Sequence, residues 1–523
     1  MAIINQYDKR SGITYVYESV SYWDKEKQQP RAKRKLIGKL DPETKEIIST
    51  DGRGKKRRSF DLSAKMDRKF FGATYLLDEI SKKLGINSDL KACFPDIYEQ
   101  ILSIAYYMTL ENNSPLYRFE KWNILHRHPY GTDIPSQRSS DLFADISEDA
   151  KNRFLKMFAE RHKEKECWVY DTTSISSYSE LLKQVQYGNN KENDNLGQIN
   201  LALVYGKDSN LPFYYRKLAG NISDVTTVDG LLADFEALGF GKVSLVMDRG
   251  FYSEKNINAL MKRHVKFLIA TKTSLSYVKK EIDTADFTTF EHYNEQYELY
   301  STTVPTEWTY SQNRPYKNDI ITSKKRIYLH LYYNIDKATD DKKIFDRRLM
   351  DMRRELQNGK RKKENEAAYK KYFEVKETPV RGMQVAVNEE AVANAKRYFG
   401  FFALLSNEKM DSIAALELYR NKDVVEKAFN NIKDCLDLRR TLVSSEHSLN
   451  GKMFVTYIGL IYLSYIKKYM QKSGLFKDYT IQSLFDRLDV IECFECSGRS
   501  LRVGEITEKQ KRLYEKLGVN PLS

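Results

Sequence analysis

From Ile13 the chain alternates apolar and polar side chains, ITYVYESVSYW, and after a turn at Gln29-Pro30 it continues as RAKRKLIGKL. Side chains on a strand point to opposite faces with a period of two, so residues 13–40 are expected to form short strands. Between residues 60 and 165 the period lengthens. FGATYLLDEISKKLG and DIYEQILSIAYYMTLE repeat apolar positions every three or four residues, which predicts helices. The pattern then turns strand-like again. Trp168–Tyr170 reads as a strand with Asp171 at its end, and INLALVYG (199–206) and LPFYYRKLAGN (211–221) read as two more. The polar stretch between Asn210 and Pro212 suits a hairpin. DVTTVDGLLADFEALG predicts a helix with Asp224 as its N-cap. KVSLVMDRG predicts a strand ending at Asp248, SEKNINALMKRH a helix and VKFLIATKT a further strand.

Three antiparallel strands followed by helix, strand, helix and strand is the layout of a ribonuclease-H-like core. Residues 276–397 interrupt it with strands (FTTFEHYNEQYELYSTT, KKRIYLHLYYNI) and a heavily charged helical stretch that reads as a solvated helix pair. FGFFALLSN (399–407) then returns to the core as a strand. MFVTYIGLIYLSYI (453–466) is the longest apolar run. It falls short of the roughly 20 residues a bilayer requires and fits a buried helix. The expected fold class is α/β: a ribonuclease-H-like mixed-sheet catalytic core, a strand-rich insertion, and an N-terminal β plus helical DNA-binding region. The boundaries are 1–58 for a basic strand-rich module, 59–165 for a helical DNA-binding domain and 166–275 with 398–470 for the core. The insertion covers 276–397 and a C-terminal helical region 471–523.

Composition narrows the partners. The chain has 523 residues, 86 Lys and Arg against 72 Asp and Glu, and a net charge of +14. A chain this long buries at least one large core, and a basic balance of this size suits a polyanion. GRGKKRR (52–58) adds a basic cluster, so Arg53, Lys55, Lys56, Arg57 and Arg58 are expected DNA contacts; a solvated loop would read much the same. The N-terminal MAIINQYDKRSG has no signal-peptide core. The five cysteines are irregularly spaced, as expected of reduced thiols in a cytoplasm. Cys493 and Cys496 form a lone CxxC with no second pair to complete a zinc site, and read as ordinary thiols.

The candidate chemistry lies in three acids. Strand ends line the crevice of an open sheet, so carboxylates at Asp171 and Asp248 would face a site. Taken singly, each would serve equally as a capping or loop aspartate. YRNKDVVEKAFNNIK (419–433) supplies the third acid. At about 100° per residue, counted from Tyr419, Lys422 falls at about 300°, Glu426 at about 340° and Lys433 at about 320° on one helix face. Val425, Phe429, Ile432 and Leu436 fall at about 220–280°, an apolar stripe that can pack on the sheet. An ordinary amphipathic helix with exposed i,i+4 charge pairs would show the same pattern. Three carboxylates around one crevice suit Mg²⁺, a hard ion that takes oxygen ligands. Two such ions about 3.5–4 Å apart support phosphodiester chemistry. The lysines and the tyrosine would hold phosphates of the strand being cut.

These segments resemble the bacterial insertion-sequence DDE transposases, in the long-chain subgroup of the superfamily marked by a Y-x-x-R-x-x-x-E-x-x-x-x-x-x-K helix. Tyr419, Glu426 and Lys433 fall on that pattern, and Lys422 stands at its arginine position, where a lysine cannot grip a phosphate bidentately. WVYDTTS and VMDRGFYSE are similar to the segments carrying the family's two aspartates, and TYVYES…RAKRKLIGKLDPETKEII is similar to the opening of the long-chain subgroup. The resemblance implies cut-and-paste movement of a DNA element: cleavage at its end and strand transfer by the freed 3′-hydroxyl. Asp171, Asp248 and Glu426 would hold two Mg²⁺, with Mn²⁺ as a substitute. The implied partners are double-stranded DNA, both terminal inverted repeats and target, and a second copy of the chain in a homodimer on paired ends. The implied place is the bacterial cytoplasm at the nucleoid, with no membrane. Some relatives stabilise a flipped base with an insertion-domain tryptophan, a role that would fall to Trp308; a packing aromatic is the plainer reading. The competing functions are a structure-specific nuclease on the same fold, a DNA-binding remnant of a transposase, and a generic basic binding protein.

Overall fold

The computed structural model describes the chain apart from residues 1, 26, 43, 49–65, 113, 163–166, 180–181, 189–195, 241–242, 286–288, 315–318, 379–381, 437–439, 442–444, 497–500 and 523. The cluster from Arg53 to Arg58 lies outside the described residues. Two compact units emerge: Met1–Asp67 with Cys496–Ser500, and Arg68–Glu495 with Leu501–Ser523.

The first unit is a small antiparallel sheet. Strands β1 (Ala2–Asp8), β2 (Ile13–Asp24), β3 (Gln29–Leu40) and β4 (Ile47–Ile48) lie in sequence order. A bulge between Val16 and Tyr17 shifts the β2–β3 register.

The second unit begins at Arg68, within β5 (Met66–Phe70), and continues through six helices: α1 (Gly72–Leu84), α2 (Ile86–Cys93), α3 (Tyr98–Leu110), α4 (Phe119–Leu125), α5 (Ser136–Asp145) and α6 (Glu148–His162). Their three-and-four spacing buries a shared apolar side, with Leu76, Leu77, Ile80, Ile101, Phe154 and Phe158 inside. There follow β6 (Cys167–Ser177), β7 (Gly197–Gly206), β8 (Pro212–Ala219), α7 (Asp224–Leu238), β9 (Ser244–Met247), α8 (Glu254–Lys262), β10 (Lys266–Thr271) and α9 (Ser276–Thr284). Next come β11 (Tyr293–Asn294), β12 (Leu299–Arg314), β13 (Asp319–Tyr333), α10 (Ile335–Gln357), α11 (Glu366–Tyr372), β14 (Phe373–Thr378), β15 (Gly382–Val387) and α12 (Glu389–Lys396). The chain closes with β16 (Phe401–Ser406), α13 (Ser412–Arg420), α14 (Asp423–Asn430), β17 (Arg440–Thr441), α15 (Glu446–Lys472), α16 (Ile481–Asp489), β18 (Glu492–Cys496), β19 (Arg502–Val503) and α17 (Glu508–Lys516).

One large mixed sheet organises this unit, so the fold is α/β. Its order is β11-β12-β13-β16-β10-β9-β6-β7-β8, with β17 paired to β6. β6, β7 and β8 are antiparallel neighbours, whereas β9 runs parallel to β6 and β10 parallel to β9. The long β12–β13 hairpin does not stand apart: β13 pairs with β16 and extends the same sheet. Residues 453–466 lie inside α15, which is buried along most of its length and packs on α3, α5 and β8. At Gly451 α15 crosses α5 so closely that a Cβ would stand 2.0 Å from the Phe143 carbonyl oxygen. Only glycine fits there. Among the described residues no helix is long and apolar enough to cross a membrane.

The turn read at Gln29-Pro30 falls earlier, because both residues already pair in β3 with Asp24 and Trp23, and near the candidate site two elements differ from the sequence reading. β6 does not end at Asp171 but runs on to Ser177, because TTSIS pairs with β7 residue for residue and is buried between layers. The polarity of threonine and serine hid a strand whose hydroxyls are covered. The 419–433 stretch is not one helix. α13 ends at Arg420, the chain turns at Asn421–Lys422, α14 restarts at Asp423, and Asn431–Cys435 widens into a π-helical turn.

Candidate active site

The site forms where β6 and β9 stop pairing. Their last paired residues are Tyr170 and Met247, so Asp171 and Asp248 are each the next residue along neighbouring parallel strands. Adjacent strands lie about 4.8 Å apart, which sets the two aspartates side by side at one edge. Asp171 continues along β6 and pairs with Leu203 of β7. Asp248 leaves the sheet and caps the tight turn Arg249–Phe251, where its carboxylate accepts the Arg249 N–H at 2.7 Å.

α14 brings Glu426. Val425, Ala428 and Phe429 are buried, and the helix lies against β6 and β7. Glu426, Asn430 and Lys433 then face a cleft of about 300 Å³ also lined by Asp171, Thr172, Thr173, Asp224, Asp248 and Gly250. Four carboxylates therefore surround one opening. The π-helical turn carries Lys433, whose residue is nearly buried, to the same cleft.

Tyr419 and Lys422 reach it from the other side, despite the break between α13 and α14. The Tyr419 hydroxyl donates to Asp248 Oδ1 at 2.6 Å. Lys422 Nζ stands 3.4 Å from Asp248 Oδ2 and 3.2 Å from Glu426 Oε1, between the two acids. Burial by itself would raise the pKa of Asp248, but the bonds from Tyr419 and the Arg249 N–H and the charge of Lys422 outweigh it and hold the carboxyl below its ordinary value of 3.8. Burial, then the bonded Asp248, pushes the Tyr419 phenol up, so it stays a donor. Burial opposes the charged form of Lys422, yet Asp248, Glu426 and Asp171 together raise its pKa.

Asp224 is the residue that sequence reasoning passed over. It is the first residue of α7 rather than its cap, which is Ser223. The buried amides of Gln198 and Asn200 fix the preceding loop, donating to the Gly220 carbonyl at 3.0 Å and the Ile222 carbonyl at 2.9 Å. Asp224 then accepts a hydrogen bond from the Thr172 hydroxyl, next to Asp171. On its other side a Cβ built on Gly250 would lie 3.3 Å from Asp224 Oδ2, so the carboxylate also packs against the turn that carries Asp248. The signal available in the sequence was an aspartate directly after a predicted strand and turn, in the same position relative to the sheet as the other two acids.

The donor set is oxygen throughout: four carboxylates and threonine hydroxyls, with no cysteine or histidine in the lining. That chemistry suits Mg²⁺ or Mn²⁺ rather than zinc. Among the described residues, no three His, Cys, Asp or Glu side chains are already drawn together at metal-ligating spacing. Trp308 lies away from this cleft. It is buried, its indole N–H donates to Asn258 Oδ1 at 2.9 Å, and its ring packs edge-on against Tyr277.

Comparison with known proteins covers this region. A family model described as the transposase DDE domain matches residues 162–460. No curated protein matches the chain. Among solved structures, the piggyBac transposase synaptic complex with hairpin DNA, determined by cryo-EM, aligns over 79% of this chain and 70% of that one, at 10% identity and a TM-score of 0.36. The family match spans more than half the chain and takes in every carboxylate of the cleft: the chain belongs to the transposase DDE domain family.

Proposed function

We propose that the chain is a DNA transposase that cleaves phosphodiesters at the ends of an insertion sequence and transfers the freed strand to a target. The observation that carries this reading is the convergence of Asp171, Asp248 and Glu426 on one oxygen-lined cleft in a chain of this family. The strand order and directions around β6 support a ribonuclease-H-like core, with three antiparallel strands followed by two parallel ones. Residues 276–397 would be the insertion domain, and 1–58 and 59–165 the DNA-binding regions.

Asp171, Asp248 and Glu426 would hold two Mg²⁺, which when bound supply charge stabilisation at the scissile phosphate and acidify the attacking hydroxyl. The chain's own cations do the rest. Lys433 and Lys422 sit at the cleft to hold non-bridging phosphate oxygens, and Tyr419 orients Asp248. Lysine offers a point charge rather than a fork, so these contacts position the strand without fixing its angle. Beside Asp248 and Tyr419 a larger cleft of about 1,020 Å³ is lined by Arg249, Lys279, Arg348 and Lys371. It would accept the sugar–phosphate backbone as it leaves the site. A homodimer acting on paired element ends, in a bacterial cytoplasm, completes the reading.

The test is a cleavage and strand-transfer assay with purified protein, Mg²⁺ and a duplex carrying the DNA that flanks the gene. Nicks at an element end and joined products, both lost in Glu426→Gln, are expected. Cleavage without joining would make the chain a structure-specific nuclease. DNA binding with no cleavage under Mg²⁺ or Mn²⁺ would make it a binding remnant.

A further inference from the structure

In the first unit β1 pairs with β2 only from Ile13 to Ser19, and β4 pairs with β3 only at Lys39 and Leu40. The hairpin continues beyond both. Val20 to Asp24 pair with Lys33 to Gln29 as a two-stranded ribbon that, among the described residues, no third strand flanks. A bare two-stranded ribbon is marginally stable in water and gains by lying against a partner. This one is open on both faces. Val20, Tyr22 and Trp23 are 42%, 49% and 61% exposed, and every residue of β3 from Gln29 to Ile37 is exposed.

Charge names the partner. β3 carries Arg31, Lys33, Arg34, Lys35 and Lys39 and no acid. Cross-strand register puts Arg31 opposite Tyr22, Lys33 opposite Val20 and Lys35 opposite Glu18 on one face. Arg31 pairs with Asp24 at a loose 3.7 Å. Residues two apart on a strand are about 6.6 Å apart, close to the axial rise over two phosphates of one DNA strand. A two-stranded ribbon also fits the major groove of B-DNA, which is about 12 Å wide. Cations interleaved with an aromatic ring, at phosphate spacing, on an unflanked ribbon describe a surface for double-stranded DNA rather than for a neutral protein face.

We infer that the β2–β3 ribbon is a DNA-binding arm that lies in or along the major groove, with Arg31, Lys33 and Lys35 on phosphates and Tyr22 packed beside them. The inference deepens the transposase reading by assigning part of its DNA grip to a segment far from the catalytic carboxylates in sequence.

The test uses the full chain without added metal, a 40-base-pair duplex of arbitrary sequence, and fluorescence anisotropy across a salt series. Each phosphate contact contributes about 0.9 to the slope of log K against log salt. The triple variant Arg31→Ala/Lys33→Ala/Lys35→Ala should therefore lower the slope by about 2–3 and weaken binding at least about ten-fold at physiological salt. Lys472→Ala/Lys477→Ala/Lys509→Ala, which removes the same charge from exposed helical sites, should leave the slope unchanged. The charge-keeping Lys33→Arg/Lys35→Arg should bind like wild type, which separates lost phosphate contacts from a misfolded arm. Equal slopes for the two alanine triples would overturn the inference. So would a change in sedimentation coefficient with an unaltered slope, which would make the ribbon a contact between copies. Failure of wild type to bind any duplex would overturn the transposase reading as well, whereas normal cleavage with equal slopes would overturn the arm alone.

Discussion

Lys422 gives the sharpest prediction, because its ammonium stands between Asp248 and Glu426, two of the acids proposed to hold metal ions. It lies 3.4 Å from one carboxylate and 3.2 Å from the other. At an effective dielectric constant of about 20 each pair would be worth ~5 kcal/mol gross. The carboxylate side chains are 44% and 52% exposed, however, and the lysine 20%, so water screens most of that. Exposed pairs are worth about 0.2–1 kcal/mol each, and two of them sum to about 0.4–2 kcal/mol. An incoming metal ion must displace that interaction. Lys422→Met should therefore bind Mn²⁺ about 2–30-fold more tightly than wild type in the absence of DNA, since each 1.4 kcal/mol is about ten-fold. Titration calorimetry or Mn²⁺ electron paramagnetic resonance at neutral pH measures it. Strand cleavage by the same variant should fall, because the phosphate loses a cation. Metal affinity that is unchanged or weaker in Lys422→Met would refute the idea that the ammonium competes with the metal for these two acids.

Two other perturbations follow from the geometry. Asp224→Ala removes the acceptor of the Thr172 hydroxyl beside Asp171; cleavage should drop at least about ten-fold and the Mg²⁺ needed for half-maximal rate should rise, with DNA affinity unchanged, and a rate lost at constant Mg²⁺ dependence would count against a role in arranging the acids. His330 is fully buried between Thr303 and Ser406, and burial pushes its pKa down from 6.5 to about 4. The unfolded chain then takes up a proton that the folded one refuses, so stability is lost as pH falls from 6.5 towards 4, by up to about 1.4 kcal/mol per pH unit. His330→Gln lacks that term, so its stability deficit relative to wild type should shrink across this window in urea titrations; a constant deficit would refute the neutral buried imidazole.

What the sequence determined by itself was local. Period-two and period-three-to-four patterns located most strands and helices of the second unit, because side-chain direction repeats with the backbone geometry of each element. The identities of Asp171, Asp248, Glu426, Tyr419, Lys422 and Lys433 could be picked out because charges and a phenol stood beside apolar runs. The tertiary structure decided which of them meet. Asp171 lies mid-strand on β6, and only the parallel register with β9 shows that Asp248 follows at the same edge. The ideal-helix angles for 419–433 assumed a continuity that the turn at Asn421–Lys422 interrupts. Tyr419 and Lys422 still reach Asp248, because α13 and α14 are separately positioned against the sheet. Asp224 reads as a cap until the buried amides of β7 pin its loop against Thr172. Periodicity records what each residue's own element buries. It holds no information on register between strands distant in the chain, and that register is what places one carboxylate beside another.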